Sequence, residues 1–241
     1  MASSQKTAIV TGASQGIGAG LVDAFLKRGY NVVANSRHIT QTNPFAASAN
    51  LVLIDGDIGD PSTAAKIVDA AVSKFGRIDL LINNAGIFIP KPFTEYTTAD
   101  LDALVSTTLA GFLYVSQLTV KQMLRQKSGS IVNISTTLVD HPVAGVPVTL
   151  QVMTKGSLDA VTRALAMEYA SDGIRVNTVA LGVIKTPMHK PETYESLKGL
   201  HPMGRMGEVK EVVDAVLFLT DATFTTGEIL HVDGGVHAGK W

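Results

Sequence analysis

The stretch Thr11-Gly12-Ala13-Ser14-Gln15-Gly16-Ile17-Gly18 decides how this chain folds. It follows a short β-branched run, Thr7–Thr11, and opens a segment with helical spacing, Gly16–Arg28. Glycine at these places lets the chain turn sharply from strand to helix and lets a phosphate approach the backbone. The phosphate then meets unpaired N–H groups and the positive end of the helix dipole. Any tight strand–helix turn can use glycine. It is the position at the first such junction that points to nucleotide binding.

Outward from that turn, the same alternation recurs. Further strand candidates are Asn31–Asn35, Leu51–Ile54, Ile78–Ile82, Ser130–Ile134, Arg175–Ala180 and Ile229–Val232. Most are continuous apolar runs, which suits a parallel sheet buried on both faces. Helix candidates lie between them at Ser62–Phe75, Ala99–Arg125, Lys155–Tyr169 and Val209–Leu219. Short connections imply right-handed βαβ units and a doubly wound α/β fold of about seven parallel strands, with helices on both faces. No repeat or linker interrupts the pattern, so residues 1–241 read as one domain. The exception is residues 182–207, which carry Pro187, Pro191 and Pro202 and break the periodicity. That segment reads as a lid over the carboxyl ends of the strands.

Composition narrows the function. With 46% hydrophobic and 17% charged residues, the chain is not disordered. A net charge of −1 lacks the cationic excess that nucleic-acid binding needs. No apolar run approaches the ~18 residues that cross a bilayer, and no secretory signal precedes the first strand, so the expected location is the cytoplasm. Zero cysteines exclude disulfides, a thiol nucleophile and the commonest zinc sites, and no His/Asp/Glu set has metal-ligand spacing.

Beyond the second strand stands Asn35-Ser36-Arg37-His38, where an NAD site would place a carboxylate on the ribose. Ser36 removes that repulsion, and Arg37 offers a guanidinium fork for a 2′-phosphate. NADP(H) is therefore favoured over NAD(H).

Over nearly its whole length the sequence resembles the short-chain dehydrogenase/reductase family, in particular its 3-oxoacyl-carrier-protein reductase-like members. The motifs are the turn Thr11–Gly18, Asp57-Ile58, Asn83-Asn84-Ala85-Gly86, Ile131–Ser135, Asn177–Gly182 with Thr186-Pro187-Met188, and Val232–Gly235. The resemblance implies a Rossmann-like NAD(P)-binding domain. Its cofactor contacts would come from Gly12, Ser14, Gln15, Gly16, Ile17 and Gly18 in the turn and from Ser36 and Arg37 beyond the second strand. Asp57 and Ile58, then Asn84, Ala85 and Gly86, would follow, with Lys155, Gly182, Ile184 and Thr186 completing the set. It also implies a homotetramer or homodimer built on the two helices Ala99–Arg125 and the one after Lys155.

The family's catalytic set is an Asn, a Ser and a Tyr followed four residues later by Lys. Here Lys155 is kept, Gln151 stands in the tyrosine position and Thr108 in that of the Asn. Thr136 stands in that of the Ser, unless a loop insertion moves Thr137 there. A threonine hydroxyl can still hold a substrate oxygen. A carboxamide does not titrate near neutrality, so Gln151 can orient a ligand but cannot be the general acid. Substitutes for the lost phenol are His141, His189, His201, Tyr96 and Tyr194, with water as a further source. The expected function is NADP-dependent reduction or oxidation of a small carbonyl or alcohol with an atypical, weakened proton-transfer site. The alternative is a catalytically silent NADP(H)-binding regulatory or scaffold protein.

Overall fold

A computed structural model describes residues 5–239. Its centre is a seven-stranded sheet with every neighbour pair parallel, in the order β3-β2-β1-β4-β5-β6-β7. The strands are β1 (Thr7–Thr11), β2 (Asn31–Ser36), β3 (Leu51–Asp55), β4 (Leu80–Asn83), β5 (Gly129–Thr136), β6 (Ile174–Leu181) and β7 (Ile229–Val232). The helices are α1 (Gly16–Lys27), α2 (Ile39–Thr42), α3 (Pro61–Phe75), α4 (Thr98–Leu104), α5 (Gly111–Gln126), α6 (Thr149–Tyr169), α7 (Tyr194–Lys198) and α8 (Val209–Asp221). The chain therefore has the doubly wound α/β fold that its pattern implies.

Both faces of the sheet are covered, which explains the lack of alternation in the strands. Val10, Val32, Ile82, Val132 and Val179 pack with Leu21, Phe25, Val212 and Val216 of α1 and α8. The immediate neighbours of the first four, Ile9, Val33, Leu81 and Ile131, together with Val176, point the other way, onto Ile67 and Ala71 of α3 and Val115 and Met123 of α5. Successive side chains leave a strand on opposite faces, so a sheet with two cores needs an apolar residue at every position.

Three elements depart from the sequence reading. β4 begins at Leu80 rather than Ile78, because the Ile78 N–H bonds to the Gln126 side chain and not into the sheet. α6 begins at Thr149, six residues before Lys155, so Gln151 sits in the first turn of the helix and Lys155 in the second. Its N-cap, Val148, makes no side-chain cap bond, so the sequence carries no start signal there. The long helical run Thr98–Gln126 contains a π-helical stretch, Val105–Ala110. By length and a mean hydropathy of 1.4 this run is apolar enough to cross a bilayer, contrary to the reading from apolar runs. Its buried residues pack on the sheet, which accounts for the same composition.

β1 and β4 are neighbours at the middle of the sheet, where the strand order reverses direction. Their carboxyl ends leave a crevice, the usual ligand position in open α/β sheets.

Candidate active site

Two turns meet at that crevice and are tied by four hydrogen bonds. Thr11 Oγ1 accepts from the N–H groups of Asn84 (3.0 Å) and Ala85 (3.1 Å). Asn84 Nδ2 donates back to the carbonyls of Thr11 (2.9 Å) and Gly12 (3.1 Å). The approach is so close that side chains are excluded. A Cβ on Gly18 would lie 2.2 Å from the Gly12 carbonyl oxygen, and one on Gly12, where φ is +64°, would lie 2.8 Å from Ala85 Cα. A lower tier of buried polar contacts runs from Ser116 through Asn83, Asn133 and Thr162 to Thr178 and holds strands β4 to β6 in register.

The turn leads into a helix end that the protein leaves open. Asp60 caps α3, and capping boxes close α4 and α8. At α1 the N-cap residue Gln15 makes no side-chain bond, and the first turn has no acid. Its orphan N–H groups can therefore take an anion. Ser14 and Gln15 lie at the rim of this turn, with Gln15 exposed. Further out, Ser36 ends β2, and Arg37 is exposed with no ion pair among the described residues. Asp55, in register with Ser36, directs its carboxylate to Thr40. Asp57 is also exposed and accepts from Gly59 N–H, while Ile58 is buried against Gly111. These features fit a dinucleotide: an open anion site and a turn too tight for side chains.

Next to the turn lies a cavity of about 390 Å³. It brings together Ile17, Asn84, Gly86, Thr136, Thr137, Gln151, Lys155, Gly182, Ile184 and Thr186. Most of its remaining wall is apolar, including Ile87, Phe88, Leu138, Val143, Leu197 and Leu200. Residues 182–207 supply part of that wall and are pinned at their base by a bridge between Ile184 and Gly207. Within them His201 Nε2 accepts from the Val183 N–H at 2.9 Å. Burial holds the His201 pKa below its ordinary value, so it serves as a neutral acceptor.

Lys155 extends from α6 and donates to the Ile134 carbonyl at 2.6 Å, with Gly86 opposite. Loss of water around its ammonium lowers the pKa to about 8, against the pull of Asp159. Burial pushes Asp159 itself up to about 6, opposed by the Ser135 hydroxyl. Gln151 is buried one turn before Lys155 and faces the same cavity.

Both candidate threonines line the cavity, and both protons are already used. Thr136 Oγ1 donates to Leu181 O at 3.3 Å, and Thr137 Oγ1 donates to Asp233 at 2.7 Å. Thr108 does not reach the cavity. It lies in the π-helical stretch, facing a void of about 10 Å³ beside Thr11 and Leu158, which is about the size that admits one water. His141 also turns away: its ring meets the ring of His237 edge-on, and it does not line the cavity. His189 and His201 do line it. Tyr194 does not. Tyr96 reaches Gln151 from behind, its phenol oxygen 3.2 Å from Gln151 Oε1. A contact between residues 55 apart in a loop and a helix has no signature in spacing.

Comparison with known proteins agrees with this geometry. The family model described as enoyl-(acyl carrier protein) reductase matches residues 12–237. Glucose 1-dehydrogenase of Gluconobacter oxydans (strain 621H) is 33% identical, across 96% of this chain and 91% of its own length. A solved structure described as ElxO with NADP bound superposes with a TM-score of 0.91 at 31% identity, covering 98% of this chain and all of that one. The 3-ketoacyl-(acyl-carrier-protein) reductase from Brucella melitensis complexed with NADH superposes at 0.90 with 29% identity, over 96% of this chain and 98% of that one. Fold, crevice and relatives agree: the chain belongs to the short-chain dehydrogenase/reductase family.

Proposed function

We propose that this protein is an NADP(H)-dependent oxidoreductase acting on a small carbonyl or alcohol, with a proton-transfer site weakened by Gln151. One observation carries this reading. A single cavity joins Ile17 of the glycine turn, Asn84 and Gly86 to Lys155, Thr136, Gln151, Gly182, Ile184 and Thr186. When bound there, the nicotinamide gives or takes a hydride at the substrate carbon.

The chain's own residues divide the remaining work. The N–H groups at Gly16–Gly18 hold the pyrophosphate, and Arg37 with Ser36 takes the 2′-phosphate. Lys155 donates to the ribose hydroxyls and remains mostly charged below a pH of about 8. Thr136 and Gln151 border the reacting oxygen. Neither is a titrating acid, so the proton comes from water or from Lys155. Losing a positioned acid typically costs ~10²–10⁴ in rate. Slow turnover is the consequence.

The test is direct: titrate NADPH and NADH, then follow oxidation of bound NADPH with a panel of apolar ketones and aldehydes. The reading requires NADPH to bind more tightly than NADH and slow turnover with at least one carbonyl. Tight NADPH binding with no turnover on any of them supports the other reading, a silent NADP(H)-binding regulator. That alternative is favoured by the absence of a titrating group at residue 151. Self-association as a dimer or tetramer is part of the proposal, supported by Leu113, Met153 and Met167 standing exposed on α5 and α6.

A further inference from the structure

Lys155 faces the cavity with chemistry to spare. It is half-buried and lines the cavity, as do Ile134 and Gly86 on either side of its Nζ. One N–H goes to the Ile134 carbonyl at 2.6 Å, which leaves the rest of the nitrogen uncommitted. Ser135 Oγ, Gln151 Nε2 and His201 Nδ1 belong to the same wall and also lack partners, but these atoms have almost no accessible surface.

The surroundings favour the neutral amine. Among the described residues no carboxylate lies within 4.0 Å of Lys155 Nζ. Asp159, one turn further along α6, has both oxygens buried without a hydrogen bond, and burial pushes its pKa up to about 6, with Asp140 adding to the rise and Arg163 opposing it. His189 and His201 are the other titrating groups on the wall, and burial holds both below their ordinary range. An ammonium against apolar walls without a paired anion is costly, and losing a proton relieves that cost. This is the setting in which a lysine becomes a nucleophile. With the Lys155 pKa lowered to about 8 by loss of water, against the pull of Asp159, about a tenth of the molecules carry the free amine at pH 7. For an ordinary lysine the share is roughly one in 3,000.

We propose that Lys155 is a nucleophilic amine that captures apolar aldehydes as an imine when no nicotinamide cofactor covers it. The ammonium first sheds one proton to solvent, and the freed lone pair bonds to the carbonyl carbon. The carbonyl oxygen then leaves as water, taking up the proton returned by solvent and one more from the nitrogen. The sum is ammonium plus aldehyde giving protonated imine plus water, with nothing oxidised or reduced. The protonated imine keeps one N–H for Ile134 O, so the existing bond survives the reaction. Ile87, Phe88, Leu138, Val143, Leu197 and Leu200 set the rest of the ligand, an alkyl or aryl chain in preference to a polyhydroxy one. This capture is a second use of the lysine and does not rest on the oxidoreductase reading.

The experiment traps the adduct and locates it. Protein free of cofactor is incubated at pH 7 with hexanal and cyanoborohydride, which reduces the imine to a secondary amine that peptide mass mapping assigns to a residue. The chain's α-amino group, with an ordinary pKa of about 8, is the internal standard for an exposed amine of similar basicity. Lys155 is expected to be alkylated at least ~10-fold faster than the other lysines. It should also outpace the α-amino group with hexanal and fall behind it with glyceraldehyde. Lys155→Arg keeps a cation there and should remove the label; if that variant fails to fold, the wild-type map decides, because it names the alkylated residue. Lys155 labelled no faster than the other lysines, or a rate relative to the α-amino group that is the same for both aldehydes, overturns the proposal. Saturating NADPH should suppress the Lys155 label. A label that persists under NADPH keeps the proposal and removes Lys155 from the cofactor site. A Lys155 label in a protein that oxidises NADPH with no carbonyl keeps the proposal and removes the oxidoreductase reading.

Discussion

The two ends of the crevice differ in how completely they satisfy their own polar groups. At the turn end, Thr11 and Asn84 use their hydrogen-bonding groups on each other's backbone, and glycine is forced by contacts of 2.2 and 2.8 Å. The groups left open there include the helix N–H groups that an anion would take. At the far end the Thr136 and Thr137 hydroxyls are closed off, Ser135 Oγ and Gln151 Nε2 have no partner, and Thr108 points into a separate void. The turn end is built for one ligand geometry. The other end leaves polar atoms unpaired beside a largely apolar cavity.

If that contrast is right, damage to the turn end should be the most severe. Gly18→Ala puts a methyl group against the Gly12 carbonyl and the Asn84 amide, at 2.2 and 2.8 Å. Backbone on one side of the contact cannot swing away, so the cost should be on the order of 3 kcal/mol. Thermal unfolding should show a lower midpoint and no stabilisation by NADPH; normal NADPH stabilisation would mean the two turns are not a rigid cradle. Arg37→Ala should act more locally. Without the guanidinium, NADPH affinity should fall about tenfold while NADH affinity is unchanged, an effect of roughly 1.4 kcal/mol, read by fluorescence titration. Equal losses for both would move the 2′-phosphate elsewhere.

The smallest effect concerns pH and sharpens the contrast at the far end. His189, His201 and His231 all have pKa values lowered from 6.5, each by burial first. The unfolded chain therefore binds protons near pH 6.5 that the folded chain still refuses. Stability is full above that pH and falls as pH drops below it, by at most about 1.4 kcal/mol per pH unit for each histidine concerned. Protonating His201 also removes the acceptor of the Val183 N–H. Cofactor release and loosening of residues 182–207 should separate here: hydrogen exchange at Val183 should rise between pH 6.5 and 5 before protection at Ala85 does.

The sequence made the sheet legible because burial on two faces writes an apolar residue at nearly every strand position. The turn was equally clear, since glycine at 12, 16 and 18 answers a steric demand that only glycine meets. The start of α6 was hidden because no capping residue marks it, and the π-helical stretch because its residues are ordinary helix or strand formers. Thr108 lies in the expected helix but turns to a different void, a matter of rotation rather than position. His141, the strongest candidate for a titrating acid in the sequence, meets the His237 ring in a contact that spacing does not record. Thr136 and Thr137 could not be separated in sequence, and in space both border the cavity with their protons committed.

The claim that joins these observations is that an intact cofactor cradle faces a site whose acid has been removed. Gln151→Tyr tests it most directly, with NADPH affinity and carbonyl-dependent NADPH oxidation measured on wild type and variant together. The account predicts unchanged NADPH affinity and a rise in rate of ~10²–10⁴, with a pH profile falling as the new phenol and Lys155 lose their protons. A variant slower than the wild type at equal NADPH affinity would contradict it, and would make Gln151 part of a different working mechanism.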